Sequence, residues 1–319
     1  MRVLVTTPSF GAQSPDPWTV LADAGIEAVR PAAAHPLDAA ALAREAEGCD
    51  ALIAGLDDVS GPVLASPTLK VIAKHGTGTD NIDVETAAAH GITVVNAPGA
   101  NAGGVADLTL ALILATARRL PEADASCRAG EWRRFPGLEL AGKTLAILGY
   151  GRIGRAVAAR ALAFGLKVVA YDPYVPDDAF GPDARPAALA DALAAADIVS
   201  LHLPGGGGPI LDRTALTSLR EGAIVVNAAR GDLVDESALA ELLSSGHLRG
   251  AALDATASEP LPSDSPLLTA PNLLLTPHIG AQTDLANRAM GMAVAEDVVR
   301  VLTGRAPRNP VPPKEGTTA

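Results

Sequence analysis

Short apolar runs, many of them rich in valine and isoleucine, alternate along the chain with segments whose alanines and leucines recur at helical spacing. The apolar runs predict strands at 2–5, 50–54, 70–75, 92–98, 143–149, 167–172, 197–203, 223–229, 250–255 and 272–277. Helices are predicted in the gaps, among them 17–24, 38–46, 83–89, 102–120 and 283–303. Apolar strands that alternate with helices are typical of parallel sheets covered on both faces. The pattern therefore predicts an α/β fold.

The alternation begins again after about residue 143, and 319 residues are more than one hydrophobic core usually serves. We therefore expect two domains. Helix 102–120 has apolar residues on almost every side, which predicts that it is buried between layers. Because aromatic residues make up only 3% of the chain, the cores must consist of alanine, valine, leucine and isoleucine.

Charge and cysteine content exclude several classes of protein. The formal net charge of −11 argues against non-specific binding to nucleic acid and against docking on anionic lipid. No apolar run approaches the ~18 residues of a membrane helix, and the first residues, MRVLVTT, begin a strand rather than a signal peptide. Cys49 and Cys127 are the only cysteines, so free thiols in a reducing cytosol are expected. No metal site is predicted.

The stretch TLAILGYGRIGRAVAARA contains Gly149, Gly151 and Gly154 in the spacing GxGxxG. This motif is weak evidence alone, but here it follows an apolar strand and opens an alanine-rich helix. The first glycine permits a tight turn, the second lets the backbone approach a pyrophosphate, and the third lets helix and strand pack closely. The helix N-terminus then faces the phosphates. The alternative is a glycine turn in some other α/β fold.

Asp172 ends the next predicted strand, 21 residues after Gly151. A carboxylate at this position accepts hydrogen bonds from a ribose diol and repels a 2′-phosphate. Because the glycine spacing, its context and the position of the acid agree, we predict a nicotinamide cofactor, NAD rather than NADP. An aspartate that only caps a loop is the alternative.

Polar residues stand where several later strands end. They are His202, Asn227, Arg230, Asp254, Glu259 and His278. Each has an ordinary structural explanation when taken alone, such as an exposed cation, a loop charge or a core histidine. Since ligand sites of such folds lie at the carboxyl ends of the strands, the shared position indicates a single site.

Arg230, Glu259 and His278 suit hydride transfer between a nicotinamide and a 2-oxo or 2-hydroxy acid. The planar guanidinium of Arg230 can bind the substrate carboxylate and carbonyl with two hydrogen bonds, better than a lysine can. His278 can supply the proton that the carbonyl oxygen gains as the hydride arrives. Glu259 beside it would orient the ring and favour its charged form.

Four stretches resemble the signatures of the D-isomer-specific 2-hydroxyacid dehydrogenases: AILGYGRIGRAVA, VVNAARGDLVDESALAELLSSG, GAALDATASEPLP and NLLLTPHIGA. The earlier stretch VIAKHGTGTDNIDVETAAAHGITVVNAPGAN is similar to the D-3-phosphoglycerate dehydrogenase-like branch of that family. The resemblance covers roughly residues 50–300. It implies two Rossmann-like domains, a flavodoxin-like substrate domain formed by 1–98 and 286–319 and an NAD-binding Rossmann domain formed by 99–285. It also implies a homodimer through the region of helix 102–120.

The resemblance further implies roles for particular residues. The catalytic residues would be Arg230, Glu259 and His278. The substrate would meet Arg230 together with Lys74, Gly76, Thr77, Gly78 and Asn101. The cofactor would meet Gly149, Gly151, Arg152, Ile153, Gly154, Asp172, His202, Pro204, Ala228, Asp254 and Val105. In this set the backbone at Arg152 and Ile153 would bind the pyrophosphate, and Asp254 would bind the nicotinamide amide.

Two departures from the family pattern lie in or near the cofactor domain. Asp107 stands where members usually carry glutamate, which is a mild change in a structural position. The tetraglycine loop, Gly205–Gly208, replaces a longer polar loop. Four glycines increase the conformational entropy of the free loop and predict that it is mobile.

A third departure concerns phosphate. The phosphoglycerate branch tends to place an arginine at the end of the strand DALIA, where this chain has Ala54 and Gly55. Lys74, Arg133 and Arg134 could still attract a phosphate, or could be a strand end and a surface loop, and the sequence favours neither. We predict that the substrate needs a carboxylate and needs no phosphate.

The sequence thus predicts an NAD-dependent D-2-hydroxyacid dehydrogenase for a small 2-oxo or 2-hydroxy acid, and two other functions stay open. One is D-3-phosphoglycerate dehydrogenase proper. The other is an NAD-sensing binding protein of the corepressor type, since such proteins keep the catalytic residues. Formate dehydrogenases of the family lack the glutamate beside the histidine, whereas Glu259 is present here.

Overall fold

A computed structural model of the protein describes residues 1–313. The chain divides into two compact units. The first comprises the residues up to Asn101 together with the described residues from Ala281 on, and the second comprises Ala102–Gly280. The first unit is therefore discontinuous in sequence.

The strands are short, and ten of the twelve described strands match the predicted apolar runs. In chain order they are β1 Arg2–Val5, β2 Glu27–Val29, β3 Ala51–Ala54, β4 Val71–Lys74, β5 Thr93–Val95, β6 Thr144–Leu148, β7 Lys167–Tyr171, β8 Arg185–Pro186, β9 Ile198–Leu201, β10 Ala223–Asn227, β11 Leu248–Leu253 and β12 Leu273–Leu275.

The helices fill the intervals between the strands. They are α1 Asp16–Asp23, α2 Ala39–Glu45, α3 Val84–Ala89, α4 Ala102–Arg118, α5 Leu120–Arg128, α6 Arg152–Ala163, α7 Leu189–Ala195, α8 Arg213–Ser218, α9 Glu236–Ser244 and α10 Asp284–Leu302. Short 3-10 turns lie at Gly61–Ala65, Asp177–Ala179, Gly231–Leu233 and Pro266–Thr269. No helix within residues 1–313 is long and apolar enough to cross a bilayer.

The first unit is built on a parallel sheet in the order β2-β1-β3-β4-β5. In this doubly wound order, β2 lies on one side of β1 and the later strands are added on the other side. The order of the strands therefore reverses between β1 and β3. Alternate residues of each strand face opposite sides. Leu4 and Leu52 enter one apolar core, while Val3 and Ile53 enter the other, where α10 packs against β4 and α1.

The second unit is built on a seven-stranded parallel sheet in the order β8-β7-β6-β9-β10-β11-β12. The reversal here lies between β6 and β9. Leu145 and Ile147 face the core formed with α4 and α6, and Ala146 and Leu148 face the core under α9. The carboxyl ends of β6, β9, β10, β11 and β12 therefore share one edge of the sheet.

The predicted α/β class with parallel sheets is confirmed, and the differences are local. Strands β2 and β8 were not predicted. β2 has the sequence EAV, is not buried, and lies at the edge of its sheet, so it carries no apolar run. The predicted helix 102–120 ends at Arg118, because Arg119 adopts a left-handed conformation with φ 53°. A new helix then begins at Leu120, with Pro121 in its first turn.

Candidate active site

The glycine turn between β6 and α6 has the properties that its spacing predicts. Gly149 has φ 102°, and a Cβ atom there would lie 2.6 Å from the carbonyl carbon of His202. A Cβ atom on Gly154 would lie 2.1 Å from the carbonyl oxygen of Gly149, so helix and turn could not pack as they do. A Cβ atom on Gly151 would meet nothing within 4 Å. The turn is tight at its first and third glycines and open at the second, where a pyrophosphate would approach.

Asp172 follows β7 directly beside this turn. Its Oδ2 accepts a hydrogen bond from the backbone N–H of Tyr150 at 2.8 Å, and its Oδ1 accepts one from that of Tyr174 at 2.9 Å. The carboxylate lines a polar cavity of about 410 Å³, together with Arg185 and Asp177 among others. Each oxygen keeps a lone pair, so the group can still accept from a ribose hydroxyl.

His202 directly follows β9, and its backbone N–H donates to Leu148 O at 2.7 Å, just before the glycine turn. The ring Nε2 lies 2.8 Å from Ser200 Oγ. Within the described residues, the enclosed Nδ1 has no hydrogen-bond partner. Burial lowers the pKa of His202 to about 3, so the ring is neutral at physiological pH.

Arg230 stands at the end of β10 in a turn that Asn227 fixes. The fully buried Asn227 accepts from the Ala229 N–H at 3.0 Å and donates through Nδ2 to Arg230 O at 2.7 Å. The guanidinium of Arg230 donates from Nη1 to Ala229 O at 2.7 Å. At the next residue, a Cβ on Gly231 would lie 1.9 Å from the backbone of Thr256. The arginine turn therefore packs directly on the loop that follows β11.

Glu259 lies in that loop and faces His278. Its Oε1 and Oε2 lie 3.1 and 2.9 Å from Nδ1 of His278, and Oε1 also accepts from the Thr256 N–H at 3.2 Å. Partial burial acts to raise the pKa of Glu259, but the hydrogen bonds and charges around it, led by those of His278, outweigh burial, so the pKa is lowered. The carboxylate is ionised at neutral pH and can hold a proton on Nδ1.

The turn that carries His278 is fastened to the end of β11 by Asp254. Asp254 is 3% exposed, and its Oδ1 accepts from Thr276 Oγ1 at 2.6 Å and from the Ile279 N–H at 2.8 Å. Its Oδ2 accepts from the Gly280 N–H at 2.8 Å. His278 itself has φ 53°, a left-handed conformation. The buried carboxylate thus sets the position from which the imidazole reaches Glu259.

Two acidic residues near this site were not singled out by the sequence. Glu236, in the first turn of α9, accepts from the Ala257 N–H at 2.7 Å, and burial together with the charge of Glu259 raises its pKa. Asp232 accepts from the Gly206 N–H at 2.5 Å, and a Cβ on Gly205 would lie 2.6 Å from Asp232 Oδ1. Both hydrogen bonds join residues more than 20 positions apart, so the sequence spacing could not predict them.

The other expected cofactor residues lie along the same sheet edge. Arg152 and Ile153 are the first residues of α6, and Ala228 follows β10 directly. Pro204 lies in the segment after β9. Val105 is buried in the first turns of α4, and a Cβ on Gly280 would lie 3.2 Å from its Cγ2.

In the first unit, the expected substrate residues Lys74, Gly76, Thr77 and Gly78 lie at the end of β4 and just after it. Lys74 is 6% exposed, and its ammonium donates to Gly55 O and to Asn81 Oδ1. The Gly76 N–H donates to Lys74 O at 2.8 Å, which forms a tight turn before Gly78.

Thr77 lies in this turn, and its Oγ1 lies 3.0 Å from Asn101 Oδ1 and 3.2 Å from Ala97 O. The structure therefore brings Thr77 and Asn101 together. Arg133 and Arg134, in the second unit, are exposed, and Arg133 lies 3.8 Å from Glu131. Among residues 1–313, no three His, Cys, Asp or Glu side chains are grouped as a metal site would need.

A doubly wound sheet with this glycine turn and an acid after the second strand defines the dinucleotide-binding class of proteins. The chain belongs to the D-isomer specific 2-hydroxyacid dehydrogenase family: the model of that family's NAD binding domain matches residues 110–280, most of the second unit. The family resemblance seen in the sequence motifs, and NAD as the cofactor of this domain, are thereby confirmed.

Curated relatives and solved structures agree with this assignment. The D-3-phosphoglycerate dehydrogenase of Methanocaldococcus jannaschii is 47% identical over 251 residues, which cover 76% of this chain and 47% of the relative. That of Mycobacterium leprae is 46% identical over 269 residues, which cover 82% and 51%. The chain spans about half the length of these relatives.

Among solved structures, the TT0316 protein from Thermus thermophilus is 41% identical, with a TM-score of 0.88 over 98% of this chain and 100% of that one. A structure of D-2-hydroxyisocaproate dehydrogenase is 27% identical, with a TM-score of 0.83 over 98% of this chain and 99% of that one.

Proposed function

We propose that the protein is an NAD-dependent D-2-hydroxyacid dehydrogenase, which interconverts a small 2-oxo acid and its D-2-hydroxy acid. The observation that carries the proposal is the contact of Glu259 with His278 Nδ1 at the carboxyl edge of the NAD-binding domain. A histidine held in this way can act as an acid and a base, because its second nitrogen is left to exchange a proton with a ligand.

In the proposed reaction, His278 gives a proton to the carbonyl oxygen of the 2-oxo acid and takes it back in the oxidation. The bound nicotinamide supplies or accepts the hydride at the carbonyl carbon. Glu259 holds the proton on Nδ1, so that Nε2 is the nitrogen that exchanges. The charge of Glu259 also stabilises the imidazolium form that the reduction consumes.

Arg230 is proposed to bind the substrate carboxylate and carbonyl with two N–H groups of its planar guanidinium. Asn227 supports this role, since its two hydrogen bonds fix the turn in which the arginine stands. The backbone of Gly76–Gly78, with Lys74, Thr77 and Asn101, is proposed to bind the substrate on the first unit.

The chain's own groups fit the cofactor that the family uses. The open space at Gly151 and the first backbone N–H groups of α6, at Arg152 and Ile153, would hold the pyrophosphate. Asp172 would accept from the adenosine ribose. Asp254 Oδ2, which accepts one bond from the protein, would accept from the nicotinamide amide.

The remaining cofactor contacts are proposed for His202, Pro204, Ala228 and Val105. The neutral His202 is suited to a wall of the site, because it adds no charge beside the cofactor.

D-3-phosphoglycerate dehydrogenase proper is a second candidate, favoured by the names of the relatives that are 46% and 47% identical. The ammonium of Lys74 argues against a phosphate requirement, because it already binds Gly55 O and Asn81.

A homodimer through the α4 region is also proposed. A cytoplasmic location is proposed because both cysteines are free thiols, which persist in a reducing compartment, and Cys127 is exposed.

The deciding experiment is NADH oxidation with a panel of 2-oxo acids: 3-phosphohydroxypyruvate, hydroxypyruvate, glyoxylate, pyruvate and longer aliphatic acids. Steady turnover of one of them is expected, and His278→Ala is expected to lower kcat about 10²–10⁴-fold. NADH binding without turnover of any of these acids would favour an NAD-sensing protein instead. Light scattering of the same preparation tests the dimer.

A further inference from the structure

The tetraglycine loop, which follows β9 in the second unit, lies against the turn that carries Arg230. A Cβ atom on its first residue, Gly205, would lie 2.6 Å from Asp232 Oδ1, and 3.1 and 3.2 Å from Cγ and Cβ of Arg230. A real Cβ atom does not come within 3.0 Å of a neighbouring heavy atom, so only glycine lets the backbone lie this close. The loop therefore contacts the aliphatic part of the arginine that carries the guanidinium.

Hydrogen bonds fasten both ends of this segment to the same turn. At the start, the Gly206 N–H donates to Asp232 Oδ2 at 2.5 Å. At the end, the Leu211 N–H donates to Leu233 O, and Leu211 O accepts from the Asp235 N–H, each at 3.0 Å. Leu211 and Leu233 are buried in the same apolar core. The loop and the arginine turn are therefore one packed body.

The arginine turn also adjoins Glu259 and His278. Gly231 packs on the backbone of Thr256, whose N–H donates to Glu259 Oε1 at 3.2 Å. Burial acts to raise the pKa of Glu259, and the influences that lower it, led by the hydrogen bond of His278, include the charge of Arg230. The guanidinium thus lies near enough for its charge to reach the carboxylate. A shift of the arginine would change its position relative to the imidazole.

The side chain of Arg230 is held at its base and at its tip. Asn227 fixes the main chain of the turn, but an arginine side chain can still rotate about several bonds beyond its Cα atom. Contact with Gly205 limits the rotation of the base, and the bond from Nη1 to Ala229 O limits the tip. A side chain that is ordered before its ligand arrives binds that ligand in a defined geometry.

We propose that Gly205 and Asp232 are positioning residues for the 2-oxo acid, because they hold the Arg230 side chain in the direction that binds the carboxylate and carbonyl. Gly205 acts through its contact with the arginine, and Asp232 acts by holding the loop in place. This role rests on the proposed dehydrogenase function. It gives the first residue of the tetraglycine loop a part in substrate binding, beside the contacts with the cofactor proposed for His202 and Pro204.

Gly205→Ala tests the contact, and Gly207→Ala is its matched control. Each variant adds one methyl group to the same loop, and neither residue has a left-handed backbone, but a Cβ atom on Gly207 would meet nothing within 4 Å. Because a misplacement of about 1 Å can cost about 10²-fold in rate, Gly205→Ala is expected to lower kcat/KM for NADH-driven reduction by up to that factor. Gly207→Ala should keep the wild-type value. NADH affinity, measured by fluorescence titration, should be unchanged in both variants.

Glyoxylate is the probe for this comparison. Its carboxylate and its carbonyl are the two groups assigned to Arg230, and it has no further group that could bind elsewhere. The best acid of the panel is measured beside it.

Asp232→Ala and Asp232→Asn test the fastening of the loop. The amide oxygen of asparagine can still accept from the Gly206 N–H, whereas alanine offers no acceptor. Asp232→Ala should therefore lower kcat/KM, and Asp232→Asn should retain most of it. Melting curves show which variants fold, and if Gly205→Ala does not, the two Asp232 variants decide.

A double-mutant cycle identifies the group on which Gly205 acts. In an Arg230→Lys background, Gly205→Ala should cost less than in the wild type, because the guanidinium that the contact positions is already gone. An equal loss in both backgrounds overturns the positioning role, and so does a parallel loss of NADH affinity. Unchanged kcat/KM in folded Gly205→Ala and Asp232→Ala also overturns it. A wild type that reduces no 2-oxo acid of the panel refutes the dehydrogenase function, and the positioning role with it.

Discussion

The carboxylate of Glu259 meets His278 Nδ1 with both oxygens, at 3.1 and 2.9 Å. The two side chains are about equally enclosed, 32% and 30% exposed. Contact with the histidine lowers the pKa of Glu259 in spite of its partial burial. The pair is therefore a fixed anion beside an imidazole, and its charge reaches the ring with less screening than at an open surface.

Glu259→Gln keeps the shape of the side chain and removes its charge. In the proposed reaction this carboxylate orients the imidazole of His278 and stabilises its charge. Because a hydrogen bond to a charged group contributes about 1.5–3 kcal/mol, we expect kcat for NADH-driven reduction to fall about 10- to 100-fold at neutral pH. Glu241→Gln, an exposed glutamate paired with Arg213, is the control. If both variants keep the kcat of the wild type, Glu259 does not act on the histidine.

Arg230→Lys keeps the positive charge and loses the planar fork. One ammonium cannot replace two parallel hydrogen bonds to a carboxylate or carbonyl. Because a hydrogen bond to a charged group contributes about 1.5–3 kcal/mol, kcat/KM should fall about 10- to 100-fold. Arg213→Lys, on the exposed face of α8, should change it little. Full activity in Arg230→Lys would place the carboxylate elsewhere.

Asp172→Ala should narrow a strong preference for NADH over NADPH. The lost ribose bonds and the relieved repulsion of a 2′-phosphate each contribute on the order of 1–3 kcal/mol. The variant also loses the bonds from Tyr150 and Tyr174, which loosens the turn for both cofactors, so the ratio of the two kcat/KM values is the measurement. Asp177→Ala, in the same cavity, is the control. Equal use of both cofactors by the wild type would contradict the role of Asp172.

Two glycine variants should separate folding from cofactor binding. Gly154→Ala places a methyl group 2.1 Å from Gly149 O and should lower the free energy of unfolding by about 1–3 kcal/mol. Gly151→Ala places it in open space and should keep the stability while weakening NADH binding. Thermal melting and NADH fluorescence titration measure the two effects. Equal melting temperatures of the variants would mean that the turn is less tightly packed than its contacts indicate.

Burial lowers the pKa of His75 to about 4 from an ordinary 6.5. As the pH falls below 6.5, the unfolded chain takes up this proton first, so the stability is full above 6.5 and declines toward pH 4, by up to about 1.4 kcal/mol per pH unit. His75→Asn, which can keep the bond to Ser9, should flatten this decline, and His90→Asn should not. Melting temperatures between about pH 7 and pH 4.5 provide the test. A decline of equal slope in all three proteins would assign it to other groups.

Apolar runs and special glycines made most of the fold predictable. Strands such as β3 and β10 are buried on both faces and leave a continuous apolar run in the sequence. The edge strand β2 leaves no such run, because it pairs with a strand on one side only and its side chains are not buried. The sharp end of α4 at Arg118 depended on a left-handed residue, and arginine gives no local signal for that conformation.

The sequence predicted that Glu259 lies beside His278, and the structure brings the two side chains together. Contacts between positions far apart in the chain were not predictable. Glu236 binds the loop of Glu259 through the Ala257 N–H, 21 positions away, and the bonds by which Asp254 fixes the His278 turn also join distant positions. The sequence left open whether Lys74 is a phosphate ligand or only a strand end, and the structure shows its side chain buried against Gly55 O.

The left-handed conformation of His278, with φ 53°, makes the residue that is best for stability at this position different from the residue that the proposed chemistry needs. Glycine or asparagine would adopt this conformation with less strain than an imidazole does. A library selected only for heat resistance or expression would therefore enrich these residues at position 278, and in the proposed mechanism the same clones would lack the proton donor and lose turnover. Stability-guided redesign of this protein must hold that position fixed.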